Sequence, residues 1–109
     1  MNKPIYFDYA ATTPMDLAVK EAMCQCMDQE GAFGNSSSKH YFGNQALDLI
    51  EEARVHVADL IGALPKELIF TCGATESCNL ALKGVALANQ KKGRHMITSS
   101  IEHKCVLDS

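Results

Sequence analysis

Glu67-Leu-Ile-Phe-Thr-Cys-Gly-Ala-Thr-Glu-Ser-Cys-Asn79 sets an apolar run, a glycine and a helix-compatible segment in direct succession. Leu68, Ile69 and Phe70 have the length and composition of a buried strand, and Gly73 breaks the run just before a helix opens at Ala74. The order strand, turn, helix start is that of an α/β fold. A glycine at such a turn can take φ > 0 and lets backbone approach a ligand closely, while the first N–H groups of the helix have no partner within it. Gly73, Ala74 and Thr75 therefore form a candidate cradle for a phosphate, with the Thr75 hydroxyl and the positive end of the helix dipole, roughly half an elementary charge, added to the amides. The same residues also read as a plain turn and a plain helix cap, and the local sequence leaves both open. No lysine follows at P-loop spacing and no Gly-x-Gly-x-x-Gly is present.

Downstream of the turn, the spacing of Leu80, Ala81, Gly84, Val85, Leu87 and Ala88 predicts a helix over residues 75–90, ended by Lys91, Lys92 and Gly93. His95-Met-Ile-Thr98 then reads as a second buried strand. Strand, helix and strand make a right-handed crossover and two parallel strands. Ser99 and Glu102 have the spacing of a capping box that opens another helix. His103 follows just beyond the strand end, on the side of an α/β sheet where ligands collect. Two parallel strands are too few for a covered sheet, and Val106-Leu-Asp-Ser109 stops inside a helix-compatible run without a stop signal. The expectation is an α/β chain, with helices packed on a partial parallel sheet, that forms the front part of something longer.

Upstream, Ile5-Tyr6-Phe7 reads as extended, and Asp8-Tyr-Ala-Ala-Thr-Thr-Pro14 as a turn-rich loop. Leu17, Val19, Ala22, Met23, Cys26 and Met27 predict a helix from Asp16, its cap, to about Glu30, with Gly31 ending it. Phe33-Gly-Asn-Ser-Ser-Ser-Lys-His-Tyr-Phe-Gly43 fits neither period and reads as an irregular loop of the kind that often carries function. Ala46, Leu49, Ile50, Ala53, Val57, Leu60 and Ile61 then line one stripe of a long helix closed by Gly62 and Pro65, with His56 on its solvated face.

With 109 residues, 47% hydrophobic, 21% charged and a net charge of -3, the chain has room for at most one domain. A compact chain of this size buries roughly two-thirds of its unfolded surface. There is no basic excess for direct nucleic-acid binding and no apolar run that spans a bilayer. The N-terminus lacks the apolar core of a signal peptide, so the expected location is the cytoplasm, where thiols stay reduced. Cys24, Cys26, Cys72, Cys78 and Cys105 are odd in number and irregular in spacing, which argues against a disulfide framework. Neither they nor the four histidines show ligand spacing, so no metal site is expected.

Four segments in one order carry a resemblance over essentially all 109 residues: Asp8 to Pro14, Phe33 to Gly43, Phe70 to Asn79 and Glu102-His-Lys104. Together they resemble the cysteine desulfurases of the class V aminotransferase group of pyridoxal-phosphate enzymes, above all the bacterial branch that feeds iron–sulfur cluster assembly and transfer-RNA thiolation. The resemblance implies that residues 1–15 belong to a small domain and residues 16–109 to the first, incomplete part of a large cofactor-binding domain. It implies that Gly73, Ala74 and Thr75 hold the phosphate of pyridoxal 5'-phosphate and that His103 stacks on its ring, where an imidazole can also shuttle protons. Ala11, Thr12 and Asn35 would border the substrate or a neighbouring subunit. The cofactor would serve as electron sink while sulfur passes from L-cysteine to an enzyme thiol and alanine leaves. Sulfur-acceptor or scaffold proteins and a second copy of the chain are the implied partners.

Cys78 stands where that family has a short polar or acidic residue, and Cys72 where it has serine. The family's Schiff-base lysine, its sulfur-accepting cysteine, the aspartate paired with the pyridinium nitrogen and the arginine for the substrate carboxylate all lie further downstream. Lys104 mimics a His-Lys pair but reads as a surface residue. The 109 residues alone are therefore expected neither to retain the cofactor nor to turn over. Two alternatives remain: a fragment of a selenocysteine lyase or another class V enzyme, and a truncated module that associates with itself through uncovered edges and apolar faces.

Overall fold

Four α-helices and a short 3-10 turn at Pro65–Glu67 form among the described residues. The computed structural model describes residues 3–109, in two units that divide between Pro65 and Lys66. In the first, α1 (Leu17–Met27) starts as expected, with the Asp16 carboxylate accepting the Ala18 N–H at 2.8 Å. It stops at Asp28, short of the expected Glu30, where the backbone turns extended (φ -77°, ψ 158°).

The second helix, α2 (Tyr41–Ile61), takes in Tyr41, Phe42 and Gly43, the last three residues of the expected irregular loop, and so shortens it. His40 is the reason: its Nδ1 accepts the Gly43 N–H at 3.2 Å and satisfies one of the orphan amides of the first turn. Gly43 is buried there, and a Cβ on it would meet the carbonyl oxygens of Ser38 and Asn35. At the other end Gly62 takes the left-handed conformation (φ 67°, ψ 28°). Its N–H reaches the Asp59 carbonyl at 3.2 Å, and the Ala63 N–H reaches that of Ala58 at 2.9 Å. This crossed pair is a Schellman motif, and it needs a residue that tolerates positive φ.

In the second unit α3 (Ala74–Ala88) opens at the turn singled out from the sequence, and a short α4 (Lys104–Leu107) packs against it. That is the one helix pair in contact among the described residues. The expected capping box does not form. The Ser99 hydroxyl accepts the Ile101 N–H at 3.3 Å in a local turn, and the helix begins two residues beyond Glu102, so Glu102 lies outside its first turn. The helix also ends within the chain: the Asp108 N–H returns to the Lys104 carbonyl at 2.9 Å, and the Ser109 hydroxyl takes the Cys105 carbonyl at 2.6 Å. A serine hydroxyl competes with the helix ladder in this way.

The expected parallel sheet is not formed. Residues 5–7, 68–70 and 95–98 carry no strand, nor does any other described residue. Strand composition makes a strand only where a ladder and two covering faces are available, and a lone parallel pair supplies neither. The same shortage shows in the burial. Only Ala46 (6% exposed) and Ala58 (0%) form a buried apolar core among the described residues, while Leu49, Ile50, Val57, Leu60 and Ile61 of the α2 stripe are exposed. The accessible surface is 9834 Å², against about 6,000 Å² for a folded monomer of this mass, so burial falls well short of the two-thirds expected of a compact chain. Fully burying an exposed side chain of this size is worth about 1.5–3 kcal/mol. Leu60 (85% exposed) and Ile61 (63%) have the most of that to gain, while Leu49, Ile50 and Val57 are already more than half covered.

Candidate functional site

The start of α3 is tied down by side chains on both sides of Gly73. The Thr71 and Ser77 hydroxyls lie 2.6 Å apart, and each reaches the Gly73 carbonyl, at 3.2 and 3.3 Å. With one proton each, one hydroxyl donates to the carbonyl and the other to its neighbour. The Ser77 N–H takes the same carbonyl at 3.1 Å, the first intrahelical bond. Glu76, in the first turn, reaches back so that Oε2 accepts the Cys72 N–H at 2.7 Å. None of these bonds uses the amides of Ala74 or Thr75, nor the Thr75 hydroxyl. They remain open donors among the described residues.

One expectation about the turn is corrected. Gly73 has φ 165° and ψ 179°, extended backbone that any residue adopts, so no left-handed turn forms there. Apart from its chain neighbours, nothing lies within 4 Å of where its Cβ would stand.

The backbone hydrogen bond from Cys72 holds the Glu76 carboxyl below the ordinary carboxylate value. A depressed folded value means that the tie is present above the unfolded pKa and is lost as pH falls through the folded one. Acidification is thus expected to release the Cys72 amide only after ordinary exposed carboxyls have protonated. An amide NMR titration checks this, and Glu76→Gln, which keeps an acceptor without the charge, is expected to flatten the Cys72 response.

Opposite this helix start, His103 caps α4. Its Nδ1 accepts the Cys105 N–H at 3.2 Å, so in the neutral imidazole the proton sits on Nε2. Thr75 and His103 line one open pocket of about 230 Å³ together with Asn79, Lys104, Cys105 and Asp108. Asn79, one turn after Thr75, donates to the Thr75 carbonyl at 3.0 Å, and its Oδ1 accepts from Lys83 Nζ at 2.5 Å. Gly73 and Ala74 adjoin Thr75 along the chain without lining this pocket.

Lys104 is exposed, as the sequence indicated, and also lines the pocket; Asn79 and Asp108 are additions that the sequence did not flag. The one available signal for Asn79 was its i+4 spacing from Thr75. A larger cavity of about 480 Å³ lies around Val85 to Met96, at the opposite end of α3.

Ala11, Thr12 and Asn35 belong to the first unit and are exposed. The amides of Ala11 and Thr12 close a turn on the Asp8 carbonyl, at 3.1 and 3.4 Å. Asn35 Oδ1 accepts the Ser37 N–H at 2.9 Å. Among the described residues no three His, Cys, Asp or Glu side chains group as metal ligands, and no helix is long and apolar enough to cross a membrane.

The donor set suits pyridoxal phosphate: two open amides and a hydroxyl at a helix start favour a phosphate dianion, and Lys104 adds a cation to the same pocket. Asp108 and Glu76 oppose it, although Glu76 is turned back to Cys72.

Comparison with known proteins gives the same direction. The aminotransferase class-V family model matches residues 5–108. Cysteine desulfurase IscS of Shewanella woodyi is 59% identical over 110 residues, covering 100% of this chain and 27% of that protein. The protein of that name from Escherichia coli O139:H28 is 56% identical with the same coverage. Among solved structures, a NifS-like protein superposes with a TM-score of 0.86 at 43% identity, over 95% of this chain and 28% of the other. The chain spans about a quarter of the length of these relatives. With a family model that runs from Ile5 to Asp108, the chain belongs to the aminotransferase class-V family.

Proposed function

We propose that this chain is the front part of a pyridoxal-phosphate-dependent cysteine desulfurase, which takes sulfur from L-cysteine, leaves alanine and serves iron–sulfur cluster assembly and transfer-RNA thiolation. The observation that carries the reading is the shared pocket of Thr75 and His103, residues far apart in sequence. Residues 1–15 then join a small domain and residues 16–109 open the large one. Residues 5–7, 68–70 and 95–98 become strands when the rest of the sheet covers them.

In this reading the Ala74 and Thr75 amides and the Thr75 hydroxyl donate to the phosphate, with Gly73 giving access. When bound, pyridoxal phosphate supplies the electron sink for chemistry at the substrate amine. His103, oriented by its Nδ1 bond to Cys105, would stack on the ring and could hold or deliver a proton at Nε2. Ala11, Thr12 and Asn35 border the substrate or a second copy of the chain. A sulfur-acceptor or scaffold protein takes the product sulfur, and the location is the cytoplasm.

The test is a chimera in which this chain replaces the matching 27% of the Escherichia coli relative. The chimera is expected to bind pyridoxal phosphate and to release alanine from L-cysteine, with L-selenocysteine run beside it. The isolated chain is expected to do neither. An active chimera whose cofactor affinity and turnover are both untouched by changes at Thr75 and His103 overturns the reading.

A further inference from the structure

Among five cysteines, two sulfurs meet. Cys105 Sγ lies 3.4 Å from Cys78 Sγ, across a separation of 27 residues. Cys78 sits in the first half of α3 and Cys105 near the start of α4, so the contact is part of the seam between the two helices. Both side chains are half-buried, and Cys105 lines the open pocket, so a small solute reaches the Cys105 side of the pair. Closing 3.4 Å to a bonded separation of about 2 Å asks for about 1.4 Å of movement at the sulfurs. The hydrogen bond to Cys78, followed by burial, pushes the Cys105 thiol above the ordinary cysteine value, which disfavours its thiolate and suits it to the resolving step.

We propose that Cys78 and Cys105 form a redox modification site, at which a peroxide joins the two sulfurs in an intramolecular disulfide that ties α4 to α3. One thiol attacks the peroxide; the O–O bond breaks, a sulfenic acid forms and one water leaves. The second thiol attacks that sulfenic sulfur, the S–O bond breaks, the S–S bond forms and a second water leaves. Two thiols and one peroxide thus give one disulfide and two waters, with the sulfurs oxidised and the peroxide oxygens reduced. Thr75 stands three residues before Cys78, and His103 two before Cys105, so the tie would fix the spacing of the pocket they share. The proposal does not depend on the cysteine desulfurase reading, since it uses only the contact between the helices.

The test treats the 109-residue chain with limiting hydrogen peroxide and counts thiols. The count is expected to fall from five by two. Digestion after both lysine and glutamate separates Cys72 from Cys78 and is expected to yield one linked peptide pair, residues 77–83 with 105–109. Cys78→Ser or Cys105→Ser is expected to abolish that pair, and the triple variant Cys24→Ser, Cys26→Ser, Cys72→Ser to retain it. In denaturant the preference for this pair is expected to vanish. Links between chains, pairing with Cys24, Cys26 or Cys72, or sulfinic acid in place of a crosslink would each overturn the proposal.

Discussion

Replacing His103 with alanine in the chimera is expected to lower turnover of L-cysteine by about 10²- to 10⁴-fold, the range for loss of a positioned acid–base group. The imidazole caps α4 in this structure, its Nδ1 accepting the Cys105 N–H, and the proposed function gives Nε2 a second job, carrying a proton in the pocket it shares with Thr75. Loss of a cap alone costs about 0.5–2 kcal/mol of local stability. His103→Asn separates the two jobs, because asparagine is a strong cap acceptor that cannot shuttle a proton. It is expected to keep α4 folded and still to lose turnover as far as alanine does. Steady-state kcat and KM, taken with circular dichroism, decide the matter: an asparagine variant with full kcat would leave His103 only its capping role.

The second large effect is expected at Thr75. Thr75→Val keeps the shape of the side chain and removes the hydroxyl. A hydrogen bond to a charged group is worth about 1.5–3 kcal/mol, and about 1.4 kcal/mol is tenfold in affinity. The dissociation constant of pyridoxal phosphate is therefore expected to rise about 10- to 100-fold, while Thr75→Ser holds near the parent value. Pyridoxal without its phosphate is the control. Its weaker binding is expected to be indifferent to Thr75→Val, and an equal loss for both compounds would place the threonine against some other part of the ligand.

The features that could be read from sequence share a property: their energetics are local. Gly62 is a left-handed helix end, Asp16 a carboxylate cap, and the α3 start follows a glycine; each needs only its neighbours along the chain. His40 and His103 escaped notice as caps because an imidazole accepts a backbone N–H only in one tautomer and one rotamer, so histidine has no strong positional preference there. The strands failed for the opposite reason. Leu68, Ile69 and Phe70 have strand composition, yet a ladder is a property of the neighbouring segment as much as of the residues themselves.

The pocket divides along the same line. Thr75 and His103 could be picked out because they sit in segments whose order resembles a known family. Asn79, Lys104 and Asp108 join them through the packing of α4 on α3, and so does the sulfur contact between Cys78 and Cys105. Sequence spacing does not report such a docking between helices.

The backbone at Gly73 has one consequence for how this stretch tolerates change. Its extended dihedrals suit any amino acid, and a methyl group placed there touches nothing nearby. A screen that scores folding of these residues would thus rate alanine at 73 as neutral. Selection that scores occupancy of the α3 amides would rate the same methyl as an obstruction, since it would stand beside the donors a bound anion must reach. The disagreement between two such mutational maps would single out the positions that glycine holds for the sake of a guest rather than for the chain.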